Sequence, residues 1–305
     1  MLETFWVPDP FHYRRANFSL LPNTLGIEIT DTELADACDL GNIDPQHGFA
    51  RGPDIAGRAA IDVALRWPLP PRGATLVTLK PDTDSLGAMA VLSIRAQGRE
   101  ITPAMCARID MVARSDCFDF GDWASWSASH PPPLPDAQNI SMQLHPIEIR
   151  ALAAAIGLCR DDLAACVQIM RDWLTRGAIP AQGEAEVRKA DMHAADAWRR
   201  GLISVTAHCD GRIVHVKSDF RGAMVLGYCT APVVISESAR NGFRKITIAQ
   251  FAPSHVDMAL LALRLNSLEP GWGGSATILG SPQDVGSTLE IATIIRLIEE
   301  IGVTL

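Results

Sequence analysis

The chain has 305 residues, 48% of them hydrophobic and 20% charged, with a formal net charge of -8. That balance excludes a disordered chain and supplies apolar side chains for one large core or two ordinary ones. An acidic surface disfavours long nucleic acids and anionic membranes as partners, because their phosphates need a basic face; a small anionic ligand in a local basic pocket stays compatible.

In chain order, TLGIEI (Thr24 to Ile29) predicts a strand. Thr30-Asp31-Thr32-Glu33 then has capping-box spacing at a helix start. A helix is expected across Asp54 to Arg66. ATLVTL (Ala74 to Leu79) is a continuous apolar run, as expected of a parallel strand buried on both faces. Helices follow over Ser85 to Ala96 and Pro103 to Arg114. SHPPPLPD (Ser129 to Asp136) forbids helix and predicts an extended connector. Three helical patterns follow: His145 to Leu158, Arg160 to Arg176 and Glu184 to Arg200. Five strand-like runs come next (LISVTAH, RIVHVKS, AMVLGYC, APVVIS and KITIAQF), with His208-Cys209-Asp210-Gly211 as the turn between the first two. A helix around His255 to Leu265 leads to EPGWGGSATILGS. The last helix is expected to open at Ser281-Pro282-Gln283-Asp284. The pattern predicts two α/β domains: residues 1–135 with a mostly parallel sheet and helices on both faces, a helical connector over 136–200, and a smaller mixed-sheet domain over 201–305.

No apolar stretch is long enough to span a bilayer. The opening MLETFWVPDPFHYRR lacks the basic-then-apolar order of a secretory signal, and seven cysteines without a Cys-x-x-Cys pair read as buried thiols. The expectation is a cytoplasmic protein without a membrane partner; a homodimer is left open.

Chemistry concentrates at a few points. Asp82 and Asp84 fall where a buried strand hands over to a helix. One carboxylate there serves as a helix cap, but two so close repel unless a cation lies between them. Asp44 and His47, three apart beside glycines, suit a transition metal or simply a turn. Asp116, past the end of its helix pattern, reaches the same strand ends. Gly271-Trp272-Gly273-Gly274-Ser275 exposes backbone N–H groups for an anion or forms a tight turn around a packed tryptophan. Arg240 and Arg244 lie near another turn, for phosphate or for the surface. No Gly-x-Ser-x-Gly elbow, Walker loop or His-Glu-x-x-His motif is present.

Lys80-Pro81-Asp82-Thr83-Asp84-Ser85-Leu86-Gly87 is similar to the Asn-Pro-Asp-x-Asp-x-x-Gly signature of the DHH phosphoesterase superfamily with its DHHA1-type C-terminal domain. Gly271 to Ser275 resembles that family's glycine-rich loop, and Asp44-Pro45-Gln46-His47 echoes its Asp-His-His motif. The chain departs from the pattern at Thr78, where the family has a metal-binding histidine, in the order of the motifs, and at Ser275, where the loop has histidine. The resemblance implies a metal-dependent hydrolase acting on a small phosphoester, nucleotide or short oligonucleotide in an interdomain cleft. Asp44, His47, Asp82, Asp84 and Asp116 would hold one or two divalent ions, manganese before magnesium or zinc, with Asp84 and His47 catalytic. Gly271, Gly273, Gly274, Ser275, Arg240 and Arg244 would hold the anionic substrate. Two rivals stand beside it: a non-catalytic ligand-binding or regulatory member of the fold, and a metal-dependent hydrolase of a non-phosphate bond.

Overall fold

Four short strands, two of them within the apolar runs just named, build the first sheet in a computed structural model that describes residues 2–6, 23–138, 140, 144–220, 222–240, 242–282 and 285–304. They are β1 (Glu3–Trp6), β2 (Thr24–Ile27), β3 (Asn42–Ile43) and β4 (Thr75–Thr78), in spatial order β1-β4-β2-β3 with every pairing parallel. Every residue of β2 and β4 is buried, as continuous apolar strands in a covered parallel sheet must be. The helices of this part are α1 (Thr32–Ala37), α2 (Ala60–Ala64), α3 (Thr83–Ala96) and α4 (Pro103–Asp116).

Beyond them come α5 (Trp123–Ser129), α6 (Ile147–Leu158), α7 (Leu163–Arg176) and α8 (Ala181–Arg199). The second sheet contains β5 (Ser204–His208), β6 (Ile213–Lys217), β7 (Val233–Arg240), β8 (Phe243–Gln250), β9 (Gly273–Gly274) and β10 (Ile278–Gly280), in spatial order β5-β6-β7-β8-β10-β9. It is mixed, since β6 and β7 run parallel and the other pairs antiparallel. Helices α9 (Met224–Tyr228), α10 (Met258–Leu268) and α11 (Ile291–Ile301) complete the chain. This is the two-domain α/β architecture that the sequence predicts. No helix among the described residues is long and apolar enough to cross a membrane.

The two compact units do not follow a single cut. One comprises residues 1–117 and 145–187, the other 118–144 and 188–305. Leu152 from α6 and Met170, Trp173 and Leu174 from α7 are buried in the same core as Leu25, Leu76, Leu86 and Met89. In the second unit, alternation along the strands feeds two cores. Val214, Val216 and Val234 meet Tyr228 and Phe251, while Ile213, Val233, Ile235 and Ile248 meet Leu261, Leu265, Ile294 and Ile298.

Three local expectations are corrected. AMVLGYC forms helix α9 rather than a strand, because Val225, Leu226 and Tyr228 turn one short helical face onto the sheet. The helix expected over Asp54 to Arg66 is α-helical only at Ala60–Ala64, its start held by Asp84 from another element. The final helix opens at Ile291, since Ser281 pairs with β8: its N–H donates to the Ile246 carbonyl (2.9 Å) and its Oγ accepts from the Ile246 N–H (3.1 Å). Gln283 and Asp284 of the expected cap lie outside the described residues.

Candidate metal centre

Glu28, Asp44, Asp82 and Asp84 follow the carboxyl ends of parallel strands, where open α/β sheets place ligands, and Asp116 joins them from the end of α4. Glu28 comes directly after β2, with φ +53°, in the left-handed region. Its N–H continues the ladder to the Ile43 carbonyl (2.8 Å). The next residue is clamped by Asn42 of β3, a fully buried side chain. Asn42 Oδ1 accepts from the Ile29 N–H (3.2 Å), and its Nδ2 donates to the carbonyls of Ile29 (3.0 Å) and Phe49 (2.8 Å). Glycine is required at 26, where a Cβ would stand 2.5 Å from Asn42 Oδ1.

Past β4, Lys80-Pro81-Asp82 turns the chain into α3. Asp82 is the N-cap: Oδ1 accepts from the Ser85 N–H (3.1 Å), and Ser85 Oγ accepts from the Asp82 N–H (3.1 Å). Its other oxygen faces Lys80 Nζ at 3.2 Å. Of the two carboxylates, Asp82 is therefore the helix cap. Asp84, within the first turn, is fully buried and points elsewhere. Its two oxygens accept from the backbone N–H groups of Ala60 (2.7 Å) and Ile61 (2.9 Å), serving as the missing cap of α2. Asp116 is the last residue of α4 rather than a residue beyond it, and accepts from Gln46 Nε2.

Carboxylate oxygens of Glu28, Asp84 and Asp116 all lie within 4.8 Å of one another. Burial first, then repulsion from Asp84, Asp82 and Asp116, pushes the Glu28 carboxyl well above the ordinary range. Asp84 is pushed well up by burial and by Asp116, against the two backbone hydrogen bonds that favour its charged form. Burial also raises Asp116, with the Gln46 hydrogen bond opposing it. Lys80 is the nearby cation, its own ammonium held charged chiefly by Asp82.

Beside the cluster, Asp44 and His47 form a pair. Asp44 Oδ1 meets the His47 ring Nδ1 at 2.7 Å, and its oxygens also accept from the N–H groups of His47 (3.2 Å) and Phe49 (2.8 Å). Burial pushes Asp44 up, yet these hydrogen bonds outweigh it and hold it below the usual carboxylate value. The Asp44 hydrogen bond raises His47 against partial burial. A carboxylate only accepts, so Nδ1 carries the proton and Nε2 is left for another partner.

Of the sequence-derived ligands, the structure gathers Asp84 and Asp116 and adds Glu28, which sequence reasoning missed. Asp82 flanks the cluster, and the Asp44–His47 pair connects to it through Gln46. Buried Thr78 bonds to the backbone of Lys80 and shapes the turn. The residues assigned to substrate lie in the other unit. Arg244 is paired with Glu237 (Nε to Oε1, 3.3 Å) and donates to the Leu289 carbonyl (2.5 Å). The side chain of Arg240 lies outside the described residues. Gly273 and Gly274 form strand β9 of a tight hairpin, and Gly274 admits no Cβ because Ile278 O would stand 2.0 Å away. The N–H groups of Gly271 and Trp272 donate to Asn266 Oδ1 (2.8 and 3.1 Å), and that of Ser275 to the Ile278 carbonyl (2.8 Å).

No family model matches the chain, and no curated protein matches it. Among solved structures it is similar to a pGpG-specific phosphodiesterase, PggH from Vibrio cholerae, at 13% identity and a TM-score of 0.40, covering 76% of this chain and 81% of that one.

Proposed function

We propose that the first unit holds a metal-dependent phosphoesterase-like hydrolase site for a small phosphoester, nucleotide or short oligonucleotide. One observation carries the reading: Glu28, Asp84 and Asp116 converge from three different elements at the carboxyl end of a parallel sheet. Buried charges persist when paired or bound to metal, and three carboxylates with one neighbouring lysine are not balanced by the protein alone. The donor set fits. Hard carboxylate oxygens suit Mn²⁺ or Mg²⁺, and each of the three has lone pairs beyond its internal hydrogen bonds.

Glu28, Asp84 and Asp116 would hold the ion, which supplies hydroxide at neutral pH and offsets charge on a phosphoryl group. The remaining roles belong to side chains already in position. The Asp44 hydrogen bond holds Nδ1–H and favours the charged His47 ring, whose Nε2–H would give a proton to a departing oxygen. Gln46 orients Asp116. Lys80 provides positive charge for the substrate's own phosphate.

A second reading, a binding protein without catalysis, is favoured by one feature: Asp84 already caps α2 with both oxygens. Metal analysis of the purified protein, followed by Mn²⁺-dependent hydrolysis of linear dinucleotides, separates the two. The hydrolase reading expects bound metal and turnover that EDTA abolishes. Protein that binds no Mn²⁺ at millimolar concentration would leave only the binding reading.

A further inference from the structure

Two thiols of the first unit face each other across the turn that joins α6 to α7. Cys159 is the C-cap of α6 and Cys166 lies in the first turn of α7; both are free, and their Sγ atoms are 3.3 Å apart. A bonded pair stands at about 2.0 Å, so closure asks for a shift of roughly 1.3 Å. The backbone holds the two sulfurs in place. The Asp162 N–H donates to the Cys159 carbonyl (2.8 Å), and the Asp162 carbonyl accepts from the Cys166 N–H (3.0 Å). Cys166 Sγ also reaches the Cys159 carbonyl (3.3 Å), while Cys159 Sγ reaches that of Ala155 (3.2 Å).

Access separates the two. Cys166 is fully buried in one core with Leu152 and Met170, whereas Cys159 packs on the edge of that core and stays partly exposed. Burial, then the hydrogen bond with Cys159, pushes the Cys166 thiol up to about 12. An enclosed, protonated thiol is inert to an oxidant in solution, because the thiolate is the nucleophile. Cys159 is the sulfur that solvent reaches, and Cys166 stands behind it.

We propose that Cys159 and Cys166 are a peroxide-responsive modification site that closes reversibly into a disulfide, tying the end of α6 to the start of α7. Cys159 sulfur attacks a peroxide oxygen: an S–O bond forms, the O–O bond breaks, and one water leaves. The sulfur, oxidised by two electrons, is now a sulfenic acid. Cys166 sulfur then attacks Cys159 sulfur, the S–O bond breaks, and the oxygen departs as a second water with the Cys166 proton. Two thiols and one hydrogen peroxide thus give one disulfide and two waters. The bond acts on the core behind α3. Met170, four residues after Cys166, lies against Gly87, where a Cβ would stand 3.4 Å from Met170 Cε; Gly87 is three residues after Asp84. Fixing α6 to α7 restrains the surface on which this helix packs, whether or not the first unit is a hydrolase.

The test uses the full chain in EDTA, carrying Cys106→Ser to remove the exposed thiol of α4. It is treated with hydrogen peroxide, blocked with iodoacetamide, digested with trypsin and mapped by mass spectrometry. Cleavage after Arg160 puts the two cysteines on separate peptides, so the bond shows as a joined pair that dithiothreitol separates. That pair should become the major species containing Cys166, and form faster at about pH 8 than at about pH 6. Oxidised protein should have a higher urea midpoint than reduced protein, as expected of a closed loop. Cys166→Ala should leave Cys159 as a sulfenic acid that dimedone traps, or as sulfinic acid. Cys159→Ser, at the more exposed position, should abolish the joined pair and leave Cys166 reduced even if the alanine variant fails to fold. No joined pair, sulfinic acid at Cys159 with Cys166 present, or oxidation of Cys166 at the parental rate in Cys159→Ser would each overturn the proposal. A midpoint at or below that of the reduced protein would overturn the restraint on the core.

Discussion

Glu28 holds a left-handed backbone that costs a residue other than glycine on the order of 1–3 kcal/mol, in a place where its carboxylate is buried beside two others. Neither feature helps the folded apo protein, so removing the charge should have effects of opposite sign. Glu28→Gln is expected to raise the melting temperature in EDTA at pH 8 while weakening Mn²⁺ at least roughly tenfold, measured by calorimetric titration. Asp84→Asn should weaken the metal as well, but here folding suffers. An amide cannot accept from both Ala60 and Ile61, and a buried N–H left unpaired costs about 1–3 kcal/mol, readable as a lower urea midpoint. The pH response follows from the raised carboxyls of Glu28, Asp84 and Asp116, whose main cause is burial. Folded, they hold protons more tightly than in the unfolded chain. Their contribution to stability is complete below ~pH 4, the unfolded carboxylate value, and is lost as pH rises through the raised values. Melting in EDTA should therefore decline from pH 5 towards pH 8. Mn²⁺ at a hundredfold excess over its dissociation constant should restore about 2.7 kcal/mol at the upper end. A flat profile in EDTA would show that these carboxyls are not held protonated.

Elements decide how much of this site could be read in advance. ATLVTL followed by Pro81-Asp82-Thr83-Asp84 is a local signal: an apolar run, a turn and a cap, all within a dozen residues. Glu28 carries no such signal, because in TLGIEI it is the polar member of an alternating strand pattern. Only pairing of β2 with β3 and β4 brings its end beside Asp84. The pairing of Asp84 with α2 was equally hidden, since its partners are backbone groups 23 and 24 positions away. AMVLGYC suits a strand as well as helix α9, because a short apolar run is compatible with either period. What the sequence could not show, non-local hydrogen bonds now explain, and Asn42 is the clearest case. Asn42→Leu fills similar volume but leaves the Ile29 N–H and the carbonyls of Ile29 and Phe49 without their buried partner. The expected loss is at least about 1–3 kcal/mol in urea unfolding, together with weaker Mn²⁺ binding as Glu28 loses its anchor. Unchanged metal affinity in a destabilised variant would confine Asn42 to a folding role.

At the scale of the whole molecule, the chain order and the core disagree, and that disagreement has a measurable consequence. The prolines of Ser129 to Asp136 suggest a natural place to cut, giving an N-terminal fragment 1–135 with every candidate metal ligand. Yet the first unit takes residues 145–187 from beyond that cut and gives 118–144 to the other unit. Leu152, Cys166, Met170, Trp173 and Leu174 would all be missing from the core around α3. Burying a large apolar side chain contributes roughly 1.5–3 kcal/mol, so the four large ones, Leu152, Met170, Trp173 and Leu174, account for roughly 6–12 kcal/mol. That matches the whole stability of a typical domain, about 5–15 kcal/mol. Fragment 1–135 is therefore expected not to fold: no cooperative thermal transition by circular dichroism, poor dispersion in its NMR spectrum, and no saturable Mn²⁺ binding. A second fragment, 1–187, restores the missing helices and should regain both the transition and the metal. If fragment 1–135 folded cooperatively by itself, α6 and α7 would be accessories to the first unit and the metal centre would stand without them.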